Sequence, residues 1–157
     1  MVLTTSDSIA LPFAAEVLLA GDGPATGDVL ALRRPISFWG GVDPKTGAII
    51  DARHPDRGAV IAGRVLALPG TIGSSSASAV LLELVHAGRA PAALLMSEPD
   101  AILLLGLVVA REMGWPIPSA LRVAGDVQAR LAGMTVTVGP DGSIIGTAGR
   151  AGRVAAF

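Results

Sequence analysis

Apolar residues recur along this chain in two rhythms, and the alternation between them predicts a mixed α/β core. From Ala77 the apolar positions Ala77, Val80, Leu81, Leu84 and Val85 follow i, i+3, i+4, i+7, i+8, the spacing of one helix face. Gly88 suits the left-handed position that closes such a helix. A second helix is expected with Ser97 as its cap, Pro99 and Asp100 in its first turn, and an end at Met113–Gly114. Short β-branched or unbroken apolar stretches predict strands at Asp28–Leu32, Gly47–Asp51, Ala59–Leu68, Ala92–Met96 and Ile117–Val123. Phe13–Leu19 fits a strand or a short helical piece. Residues 21–27, Gly-Asp-Gly-Pro-Ala-Thr-Gly, form a turn cluster. Met134–Val138 and Ser143–Thr147 flank Gly139-Pro-Asp-Gly142, a hairpin signal. Strands alternating with helices point to an α/β architecture. Residues 148–157 read as a tail, with Val154 and Phe157 able to dock on a partner.

Length and composition narrow the classes. The 157 residues suit a single domain, 1–157, with a real core. Apolar residues make up 51%, which excludes a disordered chain. The longest apolar run, Ala101–Ala110, is closed by Arg111 and Glu112. It falls well short of the ~20 residues of a spanning helix, so a buried helix is expected and no membrane partner. The net charge is −1 and aromatics are 3%, so neither a basic stripe nor stacking platforms exist for nucleic acid. The absence of cysteine excludes disulfides and thiolate metal ligands within the chain. The N-terminus lacks a basic segment followed by an apolar one, so a cytoplasmic location is expected.

Candidate chemistry concentrates at Pro69-Gly-Thr-Ile-Gly-Ser-Ser-Ser-Ala-Ser78. Here a strand ends, a glycine loop turns and serines open a helix. The first N–H groups of a helix lack internal partners and carry partial positive charge, so an anion is favoured beside them. Ser74, Ser75 and Ser76 are therefore candidates to surround an anionic substrate, while a plain N-cap role stays open. No Gly-Lys-Ser/Thr follows, so the loop is not a Walker A motif, and G-x-S-x-G is missing. A second candidate runs from Trp39 through Gly40, Gly41 and Asp43 to Gly47 and on to His54-Pro55. Paired glycines allow close backbone approach, although Asp43-Pro44 with Thr46-Gly47 also makes an ordinary turn. His54 is either an acid/base group or a structural hydrogen-bonding group. His86, near the end of the first helix, is given no chemistry. Two separated histidines and scattered carboxylates predict no metal site.

Taken in order, Ser37-Phe-Trp-Gly-Gly-Val-Asp-Pro-Lys-Thr-Gly47, Asp51-Ala-Arg-His-Pro55, Gly58, Gly63, Pro69, Gly73-Ser-Ser-Ser76 and Ala90-Pro-Ala92 closely resemble the swivelling domain of aconitase X proteins. The resemblance covers about residues 27–123. It implies a compact swivelling β/β/α domain of the aconitase superfamily that closes over a larger catalytic domain, fused in some members and a separate subunit in others. This chain resembles the separate small subunit of a hydro-lyase, inactive without its large subunit. An iron–sulfur cluster or metal ion is then expected in that large partner and none in this chain. The implied reaction is dehydration of cis-3-hydroxy-L-proline, or alternatively of mevalonate 5-phosphate; abundant Ala and Arg, common in GC-rich bacteria, favour the former. Aconitases carry Gly-Ser-Ser-Arg at the matching loop, where the first serine is the base. By position that role falls on Ser74, with Ser75, Ser76, Gly40, Gly41, Asp43 and His54 near the substrate or the domain junction. Ser76 stands where arginine would be, so the guanidinium clamp is missing. Two rivals remain: a phosphohistidine carrier, which needs a reactive His54 close to the Gly-Gly loop, and a non-catalytic scaffold.

Overall fold

The computed structural model describes residues 11–147. Its strands are β1 (Phe13–Ala14), β2 (Glu16–Leu19), β3 (Ala25–Ala31), β4 (Val65–Leu68), β5 (Ala93–Met96), β6 (Ser119–Arg122), β7 (Thr135–Val138) and β8 (Ser143–Gly146). The helices are α1 (Phe38–Gly41), α2 (Ala77–His86), α3 (Ala101–Glu112) and α4 (Gly125–Leu131). All eight strands form one sheet in the order β1-β8-β7-β3-β4-β5-β6-β2. The run β3-β4-β5-β6 is parallel, and the outer pairs are antiparallel. Only Ala15 separates β1 from β2, yet these strands lie at opposite ends of that order. The two edges must therefore meet, and the sheet curls until it is nearly closed, which leaves little edge exposed. The Ala15 N–H bonds to the Gly142 carbonyl at 2.8 Å and helps seal the seam.

The central strands β4 and β5 are buried at every position, as unbroken apolar runs between two layers should be. Leu66, Leu68, Leu94 and Met96 point one way, into Val80, Leu81 and Leu84 of α2 and Leu103 and Leu107 of α3. Val65, Ala67, Ala93 and Leu95 point the other way, into Val136, Val138, Ile144 and Leu131 of α4. Helices α2 and α3 end where the apolar period predicts. Their crossing is close because Gly106 has no side chain: a Cβ there would collide with the Ser78 carbonyl of α2. The hairpin also forms as predicted, with Gly142 at φ +92.

Three expectations need correction, and one helix was not anticipated. Residues 47–51 and 59–64 make only isolated bridges, Val42–Ile49 and Ala48–Val60, because left-handed Gly47, Gly58 and Gly63 break any extended run. Only Val65–Leu68 becomes a strand. The cap of α3 is Asp100, not Ser97: its Oδ1 accepts the N–H groups of Ile102 and Leu103 at 2.9 and 3.1 Å. Strand β3 starts inside the predicted turn cluster, at Ala25, and Gly27 is required where it passes the Gly63 carbonyl. Helix α4 lies in a stretch with no apolar period; of its seven residues only Gln128 and Leu131 are buried. The predicted tail, residues 148–157, lies outside the described residues.

Candidate functional site at the start of α2

The parallel strands send their C-terminal ends to one rim, where open α/β sheets place ligands. After β4 the chain turns through Pro69 and Gly70 and runs beside the segment that follows β3. The Ile36 N–H bonds to the Gly70 carbonyl, and the Ile72 N–H bonds to the Ile36 carbonyl at 3.1 Å. The loop carrying Ser74–Ser76 is thus laid against the loop carrying Gly40 and Gly41.

Ser74 is half-buried, Ser75 exposed and Ser76 half-buried. Ser76 stands at the N-cap of α2 but makes no side-chain cap bond, and no acidic residue follows in the first turn. Its backbone N–H instead donates to the Ser74 Oγ at 3.2 Å. The Ala77 N–H takes the Ser74 carbonyl, and the Ser78 hydroxyl donates to the Ser75 carbonyl. The N-terminus of α3 is neutralised by Asp100, whereas that of α2 has no carboxylate. The start of α2 carries partial positive charge, and the Ser74 oxygen accepts the N–H of its N-cap residue.

The second motif is mostly architecture. The Gly40–Gly41 turn, α1, is not a true helix: Trp39 has ψ 114 and Gly40 has φ 77. Gly40 is exposed and supplies the left-handed turn. Gly41 is buried, where a Cβ would press on Ile36. The Asp43 carboxylate caps its own turn by accepting the Lys45 N–H at 2.8 Å. One oxygen of Asp43 is therefore used locally. The His54 side chain is 2% exposed. Its Nδ1 accepts the Asp56 N–H at 3.0 Å, so its Nε2–H donates to the Arg34 carbonyl at 3.1 Å. Both ring nitrogens are occupied and the ring is enclosed, so His54 pins the 33–57 loop. A phosphohistidine carrier needs an exposed ring, and the His54 ring is enclosed.

Beside the serine loop runs an apolar groove of 340 Å³, lined among others by Trp39, Gly40, Pro44, Ile50, Val80 and Glu83. The serines lie about one helical turn before its α2 wall. Trp39, Ile50 and Ile72 are 60, 47 and 56% exposed. Trp39 is thus exposed in a chain poor in aromatics. Sequence reasoning missed Asp100 and Gln128. Asp100 reaches back to the serine loop, where the Thr71 hydroxyl donates to its Oδ2 at 2.5 Å. Gln128 is buried and its amide donates to the carbonyls of Leu68, Leu95 and Val123 at 3.0–3.1 Å. It ties together the ends of β4, β5 and β6.

Among the described residues no group of three His, Cys, Asp or Glu is placed to hold a metal ion, and the chain has no cysteine. No helix among them is long and apolar enough to cross a membrane.

Comparison with known proteins converges on one family for residues 13–147. The family model of the aconitase X swivel domain matches residues 13–147. The chain is 52% identical over 99 residues to a cis-3-hydroxy-L-proline dehydratase of Pseudomonas aeruginosa, covering 62% of this chain but only 17% of that protein. It is 37% identical over 123 residues to a phosphomevalonate dehydratase small subunit of Thermococcus onnurineus, covering 78% and 89% of the two chains. The crystal structure of holo-form aconitase X from Thermococcus kodakaraensis superposes with a TM-score of 0.72 at 32% identity, over 88% of this chain and 99% of that one.

Proposed function

The chain belongs to the aconitase X swivel-domain family, and on that premise we propose that it is the swivelling part of a dehydratase whose larger catalytic part completes the site. The observation that carries this reading is the Ser76 N–H aimed at the Ser74 Oγ at 3.2 Å, at a helix start that has no acidic cap. A serine hydroxyl is a poor base, so it acts only where its alkoxide is stabilised. One preorganised N–H and the helix dipole supply part of that stabilisation. The partner's closure supplies the rest by excluding water and bringing further positive charge.

Ser74 as alkoxide takes the proton from the carbon next to the substrate carboxylate. The electron pair forms the carbon–carbon double bond as the hydroxyl on the neighbouring carbon leaves. The exposed Ser75 hydroxyl and the half-buried Ser76 hydroxyl orient the substrate, and the backbone face of exposed Gly40 borders the junction. Trp39, Ile50 and Ile72 form the apolar face that meets the larger catalytic partner. An iron–sulfur cluster or metal ion, where the complex uses one, belongs to that partner, and the reaction runs in the cytoplasm.

The preferred substrate is cis-3-hydroxy-L-proline, giving a pyrroline-2-carboxylate, because the 52% identity exceeds that to the phosphomevalonate relatives. A second reading, mevalonate 5-phosphate, is favoured by coverage, since the chain aligns with 89% of one such small subunit. The test is to mix the chain with its large partner and assay both compounds. Pyrroline formation by the mixture, and by neither part alone, is the expected result. A mixture inactive on both compounds refutes the proposal.

A further inference from the structure

We infer that Asp100 is a positioning residue, which through Thr71 sets the placement of Ser74 from outside the serine loop. The inference rests on the function proposed for Ser74 and deepens it. Each oxygen of the Asp100 carboxylate has a separate task. Oδ1 accepts the first free N–H groups of α3, from Ile102 and Leu103. Oδ2 accepts the Thr71 hydroxyl at 2.5 Å, a short bond of the charge-assisted kind. Thr71 lies three residues before Ser74, on the stretch that leads into the loop. On the far side of the loop, α3 touches it again. Gly106 lets α3 pack directly on the Ser78 carbonyl, and Ser78 in turn donates to the carbonyl of Ser75.

The loop from Gly70 to Ala77 is held to Ile36 by the backbone bonds of Gly70 and Ile72, and its side chains add two fixed points on one helix. The upstream point is Thr71 on Asp100; the downstream point is Ser78 on Gly106. Between them the Ser74 carbonyl accepts the Ala77 N–H, and the Ser74 hydroxyl has one hydrogen bond among the described residues, from the Ser76 N–H. Both bonds lie within the loop, so its placement against the rest of the fold comes from the anchors. A helix cap alone requires an acceptor for the α3 N–H groups, which serine or asparagine provides as well as aspartate. A side chain that also holds Thr71 is needed only if the loop's position matters.

The test uses the complex of this chain with its large partner and reads kcat and KM for dehydration, together with amide exchange over residues 70–77. Thr71→Val deletes the bond and leaves the cap intact. Asp100→Ser keeps a cap but is too short to hold Thr71 as well. Asp100→Asn caps through its oxygen and can donate its amide to the Thr71 hydroxyl, so it is the conservative rescue. We expect Thr71→Val and Asp100→Ser to lower kcat ~10-fold or more through misplacement of the base, with KM changed no more than about twofold and faster exchange at Ser75 and Ser76. Asp100→Asn should keep most of the turnover. Thr71→Val with normal kcat, beside an inactive Ser74→Ala control, overturns the positioning role and leaves the proposed function standing. If Ser74→Ala is itself fully active, the proposed function fails, and exchange alone decides: unchanged exchange in Thr71→Val overturns the anchor and faster exchange supports it.

Discussion

Replacing Gly106 with alanine should destabilise the protein, although the same change in an open helix is favourable. Alanine gains about 1 kcal/mol over glycine in a helix interior. At Gly106, however, an added Cβ falls more than half an ångström inside the 3.0 Å limit to the Ser78 carbonyl oxygen, with the Ser78 carbonyl carbon at 3.2 Å and the Leu82 nitrogen at 3.3 Å. All three are backbone atoms of α2, so no side chain can swing aside. The helices must part, and such overpacking costs ~1–3 kcal/mol. With both terms counted, we expect a net loss of up to ~2 kcal/mol and a Tm lower by up to ~8 °C. The first turn of α2 moves with the clash and carries the serines with it. Turnover of the reconstituted complex should therefore fall ~10-fold. Gly23→Ala is the control, since a Cβ there meets nothing within 4 Å. Thermal unfolding by circular dichroism and a turnover assay read both effects. A Gly106→Ala protein more stable than wild type would refute the packing argument.

Three further outcomes follow from other parts of the structure. Gln128→Glu places a carboxylate against three carbonyl oxygens, which favours its protonated form and raises its pKa in the folded state. Stability should then fall as pH rises past the unfolded glutamate value of ~4.3, by ~3 kcal/mol or more at neutrality; a Tm difference from wild type that is equal at pH 4.5 and 7.5 contradicts this. The Asp141 carboxylate is held below the usual carboxylate range by the Ser143 hydroxyl and then by the Ser143 N–H. Its contribution is present above the unfolded pKa and lost as pH falls through the lower folded one, so Asp141→Ala should flatten the acid limb of Tm against pH. Trp39→Ala, at a 60% exposed position, should leave the isolated chain's Tm unchanged and weaken binding to the large partner ~10-fold or more by titration calorimetry; unchanged affinity would remove Trp39 from the contact face.

What was legible in the sequence depends on how far each cue reaches. The helical period at Ala77–Val85 and the unbroken run at Ala92–Met96 are local, strongly patterned and buried, and both formed as expected. Capping is ambiguous at a distance of three residues: Ser97 and Asp100 are both good caps, and tertiary contact with Thr71 favours Asp100. The long 32–64 connection carries strand-like composition, but its positive-φ glycines at 47, 58 and 63 turn it into a pinned loop. Closure of the sheet was invisible, because it depends on β1 and β2 parting at Ala15 to opposite edges. The serine loop was legible from glycine, serine and apolar spacing together. Asp43 and His54 carry the same motif signal, yet their polar atoms are used by neighbouring backbone. Gln128 left no trace, since a single buried amide has no period.

The account turns on the Ser74 hydroxyl, and Ser74→Ala in the complex with the large partner examines it most directly. The alanine side chain keeps the loop's backbone bonds and removes only the oxygen that receives the Ser76 N–H. Loss of a general base predicts a kcat at least ~10²-fold lower, with substrate binding and Tm retained. Turnover close to wild type would show that another group takes the proton.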